Sequence, residues 1–303
     1  MSGYQMKLSW KKGIVVLLLV VFHVGIFYFG SKYVEIARLG AGYKAKLLCS
    51  AVFISKRPAD TVLEEEFGHP LLKYFDAEID YENRTVTAGL FFGLIKRKAT
   101  YTDTYGTILD FEKTELDTTL DIYPENSATN LSDRWQVDSN NFPPEIDLAK
   151  LNRAVAEAFN EPDTVNMRRT RAVVIVHDGK IIAERYAAPV TADTPLIGWS
   201  MAKSVTNALV GILVKKDLMD VDDPVPVPEW QQLDDPRQHI TYDQMLRMTP
   251  GLEFEEGYAN PRSDVIVMLF GKKDNAKFAA QKPLIHEPGT HWHYSSGTTN
   301  ILC

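Results

Sequence analysis

An uninterrupted apolar segment near the N-terminus constrains the fold more than any other feature of the chain. Residues 13–30 read GIVVLLLVVFHVGIFYFG, and His23 is the one polar member. This length is near the minimum for a helix that crosses a bilayer, and the segment has no polar face suited to a soluble surface helix. Three lysines precede it and bulky aromatic residues end it, which favours an uncleaved anchor over a cleaved signal. The sequence predicts a cytoplasmic tail over residues 1–12, a single-pass transmembrane anchor over residues 13–30, and a periplasmic or extracellular domain beyond it.

The rest of the chain divides into three regions by composition. Alternating apolar and polar residues between Tyr74 and Leu109 predict an antiparallel sheet of three or four strands, within a small β-rich region over residues 31–111. Residues 112–146 are polar and contain three prolines, which is typical of a linker. Residues 147–303 combine helical periodicity, a hairpin and several short helical segments, which indicates an α+β domain with a helical insertion.

Local signals predict the order of elements within this last region. Asp147 precedes an apolar-periodic segment and is expected near the start of its helix. Asp178-Gly179 separates two β-rich runs and predicts a tight hairpin. Thr241 is expected to cap a short helix that Pro250-Gly251 ends. The segments SDVIVMLFG and DNAKFAAQ are interpreted as two further helices.

Charge and motif content exclude several classes of partner. The net charge of −7 argues against nucleic acid, because phosphate binding needs a basic surface. The chain has no P-loop, no G-x-G-x-x-G and no C-x-x-C, so no cofactor is expected. Three histidines and Glu287 lie between residues 286 and 293, but Pro288-Gly289 interrupts them and no helix would place them on one face. No metal site is predicted there.

The segment GWSMAKSVTNALVGILV places Ser200 three residues before Lys203, at the head of an apolar-periodic helix. Ser200 suits a helix N-cap, but the capping box would need Glu or Gln at position 203. A lysine in the first turn instead faces the positive end of the helix dipole, at a cost of about 0.3–1 kcal/mol when exposed. A neutral amine one turn from a serine hydroxyl can take its proton. The segment alone leaves both a capping and a nucleophilic role open.

Two tyrosines are candidates for a second part of the same site. Tyr294 begins the polar turn YSSG, and a tyrosine hydroxyl can carry protons between a lysine, a serine and a leaving group. Tyr258 begins a literal Tyr-x-Asn triplet in a loop, only 58 residues after Ser200. Trp199 and Trp292 are expected to line or support the cleft.

These motifs resemble those of the serine β-lactamase and penicillin-binding superfamily. SMAKS resembles its S-x-x-K motif, and YSSG resembles the tyrosine-containing second motif of the class C branch. The segments DDPV, ITYDQMLRMTPGLEF and PGTHWHYSSGTTN follow in the order found in β-lactamase-related serine hydrolases such as the 6-aminohexanoate-dimer hydrolases. The resemblance covers roughly residues 147–303 and implies a β-lactamase/transpeptidase-like fold, an antiparallel sheet with a helical subdomain.

The resemblance also implies roles for individual residues. Ser200 would be the acyl-forming nucleophile, Lys203 its base, and Tyr294 the proton donor to the leaving group. Tyr258 matches a substrate-contacting tyrosine of the dimer hydrolases. Ser296 occupies the third position of the second motif and is assigned to substrate binding; class C β-lactamases have Asn there, which argues against β-lactam hydrolysis. The expected substrate is a small amide, ester or peptide.

The family has a third motif beyond the tyrosine, of Lys-Thr-Gly or His-x-Gly type, and the sequence ends at Cys303 before any such triplet. We therefore expect a domain that is incomplete at its C-terminus and poorly active alone. Two alternative functions remain open at this point. One is a D-Ala-D-Ala peptidase or β-lactamase, and the other is a catalytically silent protein that binds a cell-wall ligand.

Overall fold

The computed structural model describes residues 10–68, 71–111, 142–164 and 167–303, and for most of residues 10–29 it describes the backbone alone. The α-helices among these residues are α1 Trp10–Phe53, α2 Ala59–Phe67, α3 Leu148–Ala158, α4 Ala202–Lys215, α5 Tyr242–Leu246, α6 Asp264–Gly271, α7 Asn275–Ala280 and α8 Ser296–Leu302. The strands are β1 Asp76–Asp80, β2 Thr85–Leu90, β3 Ile95–Thr102, β4 Gly106–Leu109, β5 Ala172–His177 and β6 Lys180–Tyr186. Short 3-10 turns span Leu72–Tyr74, Trp199–Met201, Pro228–Trp230 and Pro236–His239. The mixture of helices and antiparallel sheets confirms the predicted α+β class.

The chain forms two compact units. The larger unit combines Met1–Glu115 with Ile197–Cys303, and the smaller unit is Leu116–Leu196. Every residue predicted for the functional site lies in the larger unit. The predicted linker over residues 112–146 lies mostly outside the described residues, since the structure describes only 142–146 of it.

The four strands β1 to β4 form an antiparallel sheet in sequential order. Val86 of β2 pairs with Ala99 of β3, and Ala99 pairs in turn with Leu109 of β4. These three side chains are buried and form one face of the sheet, which packs against α1. The predicted sheet of three or four strands is therefore confirmed.

Helix α1 continues well past the apolar segment. Its second half places small residues against the sheet and α6, including the fully buried Ala41 and Ala45. Gly42 allows a close approach, because a Cβ at this position would lie 3.2 Å from the backbone oxygen of Phe270 in α6. Residues 31–53, which the sequence analysis placed in a small β-rich region, are thus helical and part of the core of the larger unit.

The structure does not support the predicted membrane anchor over residues 13–30. The helix continues without interruption past the predicted boundary at Gly30 to Phe53 and packs along its second half. Within the described part of the chain, no helix combines the length and the apolar character that crossing a membrane requires. A position of the catalytic domain outside the cytoplasm stays a prediction.

The smaller unit contains α3 and the hairpin of β5 and β6. The Asp147 side chain caps α3 by accepting a hydrogen bond from the backbone N–H of Lys150 at 3.0 Å. Asp178 and Gly179 form the hairpin turn with φ of 45° and 76°, the left-handed values that such a turn needs. Both sequence predictions for this unit are confirmed.

Short helices in the larger unit begin where the sequence predicts. Thr241 and Gln244 form a complete capping box at the start of α5. Helices α6 and α7 occupy the two predicted segments. A buried cluster around Trp230, which donates to the backbone oxygen of Ala280 at 2.8 Å, packs beside α5 and α7.

The apolar side of α4 differs from the sequence interpretation. Its periodicity predicts a buried face that includes Val205 and Leu209, but these side chains are 60% and 57% exposed. Val210 is the buried member of the helix. Helix α4 contacts α8 and the 3-10 turn before it, so its first turn is the part that is held against the site.

Candidate active site

A strained turn presents Ser200 at the entrance to α4. Trp199 has φ of 43°, a left-handed value that costs a bulky residue on the order of 1–3 kcal/mol. Ser200 lies in the 3-10 turn Trp199–Met201, and the residue at the N-cap position of α4 is Met201. No side chain caps α4, so the interpretation of Ser200 as a helix cap is wrong. Its hydroxyl is exposed and is available for another contact.

Lys203 joins Ser200 to the start of a distant helix. Its Nζ lies 3.2 Å from Ser200 Oγ and 3.1 Å from Ser296 Oγ, both within hydrogen-bonding distance. The first contact follows from a spacing of three residues, which places side chains on one face of a helical turn. The second contact joins positions 93 residues apart and comes from the packing of α4 against α8.

The two serines of the YSSG turn have different contacts. Ser295 is the N-cap of α8 and accepts a hydrogen bond from the backbone N–H of Thr298 at 3.1 Å. Ser296 is the first residue of the helix and places its hydroxyl at Lys203. Gly297 allows α8 to lie close to Phe254, since a Cβ there would be 2.5 Å from the phenyl ring. The turn therefore caps α8, positions it and supplies a polar group to the site.

Glu256 completes the surroundings of Ser296. Its carboxylate accepts a hydrogen bond from the backbone N–H of Ser296 at 2.8 Å and another from the Ser296 hydroxyl. Lys203, Ser296 and Glu256 thus form a continuous polar chain that begins at Ser200. Sequence analysis missed Glu256, because the EFEEG loop contains three glutamates and nothing in the local pattern distinguishes this one.

Tyr294 contacts Lys203 through its ring. Lys203 Nζ lies over the aromatic face, 4.8 Å from the ring centroid. This geometry is that of a cation–π contact, which stabilises an ammonium. Neither Ser200 nor Lys203 hydrogen-bonds to the Tyr294 hydroxyl, so the structure brings Tyr294 to the site without placing it in the predicted proton-donating contact.

Tyr258 lies on the exposed side of the same group. Burial raises the pKa of its hydroxyl, the nearby carboxylate of Glu256 raises it further, and a hydrogen bond with Ser296 acts in the opposite direction. The phenol therefore stays protonated at neutral pH. Its ring meets Trp199 edge to face at a centroid separation of 6.5 Å. The two aromatic rings form a wall beside Ser200, whereas Trp292 is an exposed residue that does not line this cavity.

A cavity of about 340 Å³ lies at this site. Ser200, Lys203, Tyr258 and Ser296 all line it, so four of the five site residues predicted from the sequence share one cavity. The size is appropriate for a small-molecule ligand. Lys46 and Ser50 of α1 also line it, together with apolar residues of α6, and sequence analysis did not foresee this contribution.

The histidine-rich segment lies in a separate pocket. His293 Nε2 is 2.7 Å from the backbone oxygen of Phe254, and the ring centroids of His286 and His291 lie 4.1 Å apart with the planes tilted by 30°. In the described part of the chain, no three His, Cys, Asp or Glu side chains are grouped so that they could hold a metal ion. The contacts of His293 show it supporting the loop that precedes Tyr294.

Comparison with known proteins agrees with the motifs. Residues 156–303, just under half of the chain, match the family model described as Beta-lactamase. Among solved structures, the chain is similar to "Putative 6-aminohexanoate-dimer hydrolase from Bacillus anthracis", with 21% identity and a TM-score of 0.37. That match covers 44% of this chain and 38% of the other. No curated protein matches the sequence. The predicted resemblance to β-lactamase-related serine hydrolases is confirmed.

Proposed function

We propose that the domain is a serine hydrolase that cleaves a small amide or ester through an acyl-enzyme on Ser200. The observation that carries this proposal is the 3.2 Å separation between Lys203 Nζ and Ser200 Oγ, at an exposed serine that lines a cavity. A nucleophile within hydrogen-bonding distance of a base, with the base oriented by a third group, is the arrangement that activates a serine. Ser296 supplies that third group.

In the first step, Ser200 Oγ attacks the carbonyl carbon of the substrate and its proton moves to the neutral amine of Lys203. The resulting ammonium protonates the leaving amine or alcohol as the tetrahedral intermediate collapses to the acyl-enzyme. In the second step, a water molecule attacks the acyl carbon and gives its proton to Lys203. That proton passes to Ser200 Oγ as the acid product leaves. Proton transfer by a positioned group of this kind contributes about 10²- to 10⁴-fold to the rate.

The contacts of Lys203 fit the role of a base that takes up a proton and returns it. In the neutral form that this step requires, an N–H of Lys203 donates to Ser296 Oγ and the Ser296 hydroxyl donates to Glu256, which leaves the amine lone pair to accept the proton of Ser200. When Lys203 carries the proton, the face of the Tyr294 ring stabilises the ammonium. On this account Tyr294 acts on Lys203 first, and its predicted donation to the leaving group is a second role that requires a change in its position.

The proposal is tested by the hydrolysis of p-nitrophenyl butyrate by the full chain. Ser200→Ala abolishes turnover, and Lys203→Met lowers kcat by about 10²- to 10⁴-fold because the base is lost. Lys216→Met removes a lysine that is exposed at the end of α4 and serves as the matched control, with turnover within about twofold of the parent. Turnover that survives Ser200→Ala would contradict the proposal.

A fluorescent penicillin separates the alternative functions. A long-lived adduct on Ser200 without ester turnover indicates a penicillin-binding peptidase. Turnover of the penicillin indicates a β-lactamase. A folded protein that neither turns over esters nor reacts with penicillin indicates the silent ligand-binding alternative.

A further inference from the structure

Lys46 lines the cavity that contains Ser200, although it belongs to α1 and lies outside the region that matches the β-lactamase family. Gly42, Lys46 and Ser50 follow one another at intervals of four residues, which places them along one face of the helix. Gly42 contacts the backbone of Phe270, and Phe270 itself lines the cavity. The packing of α1 on α6 therefore turns this face, and Lys46 with it, toward the site.

The charged side chains that line the cavity are of one sign. Two lysines, Lys46 and Lys203, line it, and no aspartate or glutamate does. Lys203 is engaged with Ser200 and Ser296. Within the described residues, Lys46 has no hydrogen-bond or ion-pair partner. Burial lowers the pKa of Lys46, and no nearby carboxylate offsets the effect.

A partly buried ammonium without a partner is unfavourable, because desolvation is not balanced by an opposite charge. A carboxylate bound in the cavity would supply that charge through a charge-assisted hydrogen bond, the stronger class of hydrogen bond in proteins. Ser50, one turn further along the same face, also lines the cavity. Neither residue has a role in the proposed chemistry at Ser200.

We propose that Lys46 is an anion-binding residue of this cavity and that it binds a carboxylate of the ligand. This inference rests on the proposed function for the identity of the bond that is cleaved, but the binding step does not. It assigns a residue of the N-terminal helix to substrate recognition in a domain whose catalytic groups lie between residues 200 and 296.

Equilibrium binding of two matched ligands tests the proposal without any catalytic turnover. Hexanoate and hexanamide have nearly the same size and differ in charge. Each is titrated into the full chain carrying Ser200→Ala, at constant ionic strength and pH 7, with ligand-observed NMR as the readout. We expect hexanoate to bind about tenfold more tightly than hexanamide, since a hydrogen bond between charged groups replaces one to a neutral group.

Variants of Lys46 then identify the residue responsible. Lys46→Met keeps the aliphatic stem and removes the charge, so it abolishes the preference for hexanoate. Lys46→Arg restores a large part of the preference because it restores the charge. Lys216→Met carries the same change at an exposed site and retains the full preference. Circular dichroism melting of each variant verifies that it is folded.

Equal binding of the two ligands, failure of hexanoate to bind, or a preference that survives in Lys46→Met would each overturn the proposal. If Lys46→Met does not fold, loss of the preference in Lys46→Gln decides the same question. Ester hydrolysis that fails while the charge preference is present refutes the proposed function alone. Ester hydrolysis that depends on Ser200 without a charge preference refutes the role of Lys46 alone.

Discussion

Replacing Glu256 by glutamine tests the polar chain that begins at Ser200. The carboxylate accepts hydrogen bonds from both the backbone N–H and the hydroxyl of Ser296, and Ser296 is only 6% exposed. Glutamine keeps one acceptor oxygen and places an NH₂ group against the other donor. One of the two bonds is therefore lost, the other loses its charge, and water cannot easily replace them.

The expected loss follows from these contacts. A hydrogen bond to a charged group contributes about 1.5–3 kcal/mol, which corresponds to about 10- to 150-fold in rate when it is expressed in the transition state. Glu256 does not line the cavity, so the loss should fall on kcat and leave KM nearly unchanged. The assay is steady-state hydrolysis of p-nitrophenyl butyrate, with a thermal melt to show that the variant is folded.

Glu253→Gln is the matched control, because it makes the same chemical change at an exposed glutamate of the same segment. It should stay within about twofold of the parent enzyme. A kcat for Glu256→Gln that equals the control, or a change confined to KM, would refute the idea that Glu256 positions Ser296 for Lys203.

Two further predictions concern packing and thiol chemistry. Gly297→Ala should destabilise the fold by about 1–3 kcal/mol through overpacking, because its Cβ would lie 2.5 Å from the Phe254 ring. Gly211→Ala in α4 is the control and should be neutral or stabilising, because a Cβ there meets nothing within 4 Å. Thermal melts of the two variants measure the difference. Burial raises the pKa of Cys49 to about 11, so its thiol stays protonated at pH 8 and should not react with dithionitrobenzoate in the folded protein, whereas the exposed Cys303 should react. Denaturation should expose the second thiol, and two reactive thiols in the native protein would contradict the burial of Cys49.

Features that depend on neighbouring residues were predictable from the sequence. Asp147 and Thr241 cap helices because a short polar side chain reaches the free N–H groups of the first turn, whatever the rest of the fold does. Asp178-Gly179 makes its turn for the same local reason. The Ser200–Lys203 contact also belongs to this class, because a spacing of three residues brings the side chains together within one helical turn.

Features that depend on tertiary packing were not predictable in the same way. The contact of Lys203 with Ser296 and that of Ser296 with Glu256 join residues far apart in the sequence, and each requires α8 to lie against its neighbours. Residues 31–53 were predicted within a β-rich region, but α1 continues through them, with small residues that allow close packing on the sheet and α6. Helix α4 was predicted to bury its apolar face, but that face is largely exposed, because helical periodicity alone does not determine which face is covered.

Active-site labelling by a fluorophosphonate tests the central claim most directly. The proposed pairing of Lys203 with Ser200 predicts incorporation of one equivalent of label into the full chain, located on Ser200 by peptide mass spectrometry. Lys203→Met should slow labelling by about 10²-fold or more, because the hydroxyl loses its base, and Lys216→Met should label at the parental rate. Labelling of a different residue, or a rate at Ser200 that does not depend on Lys203, would contradict the account.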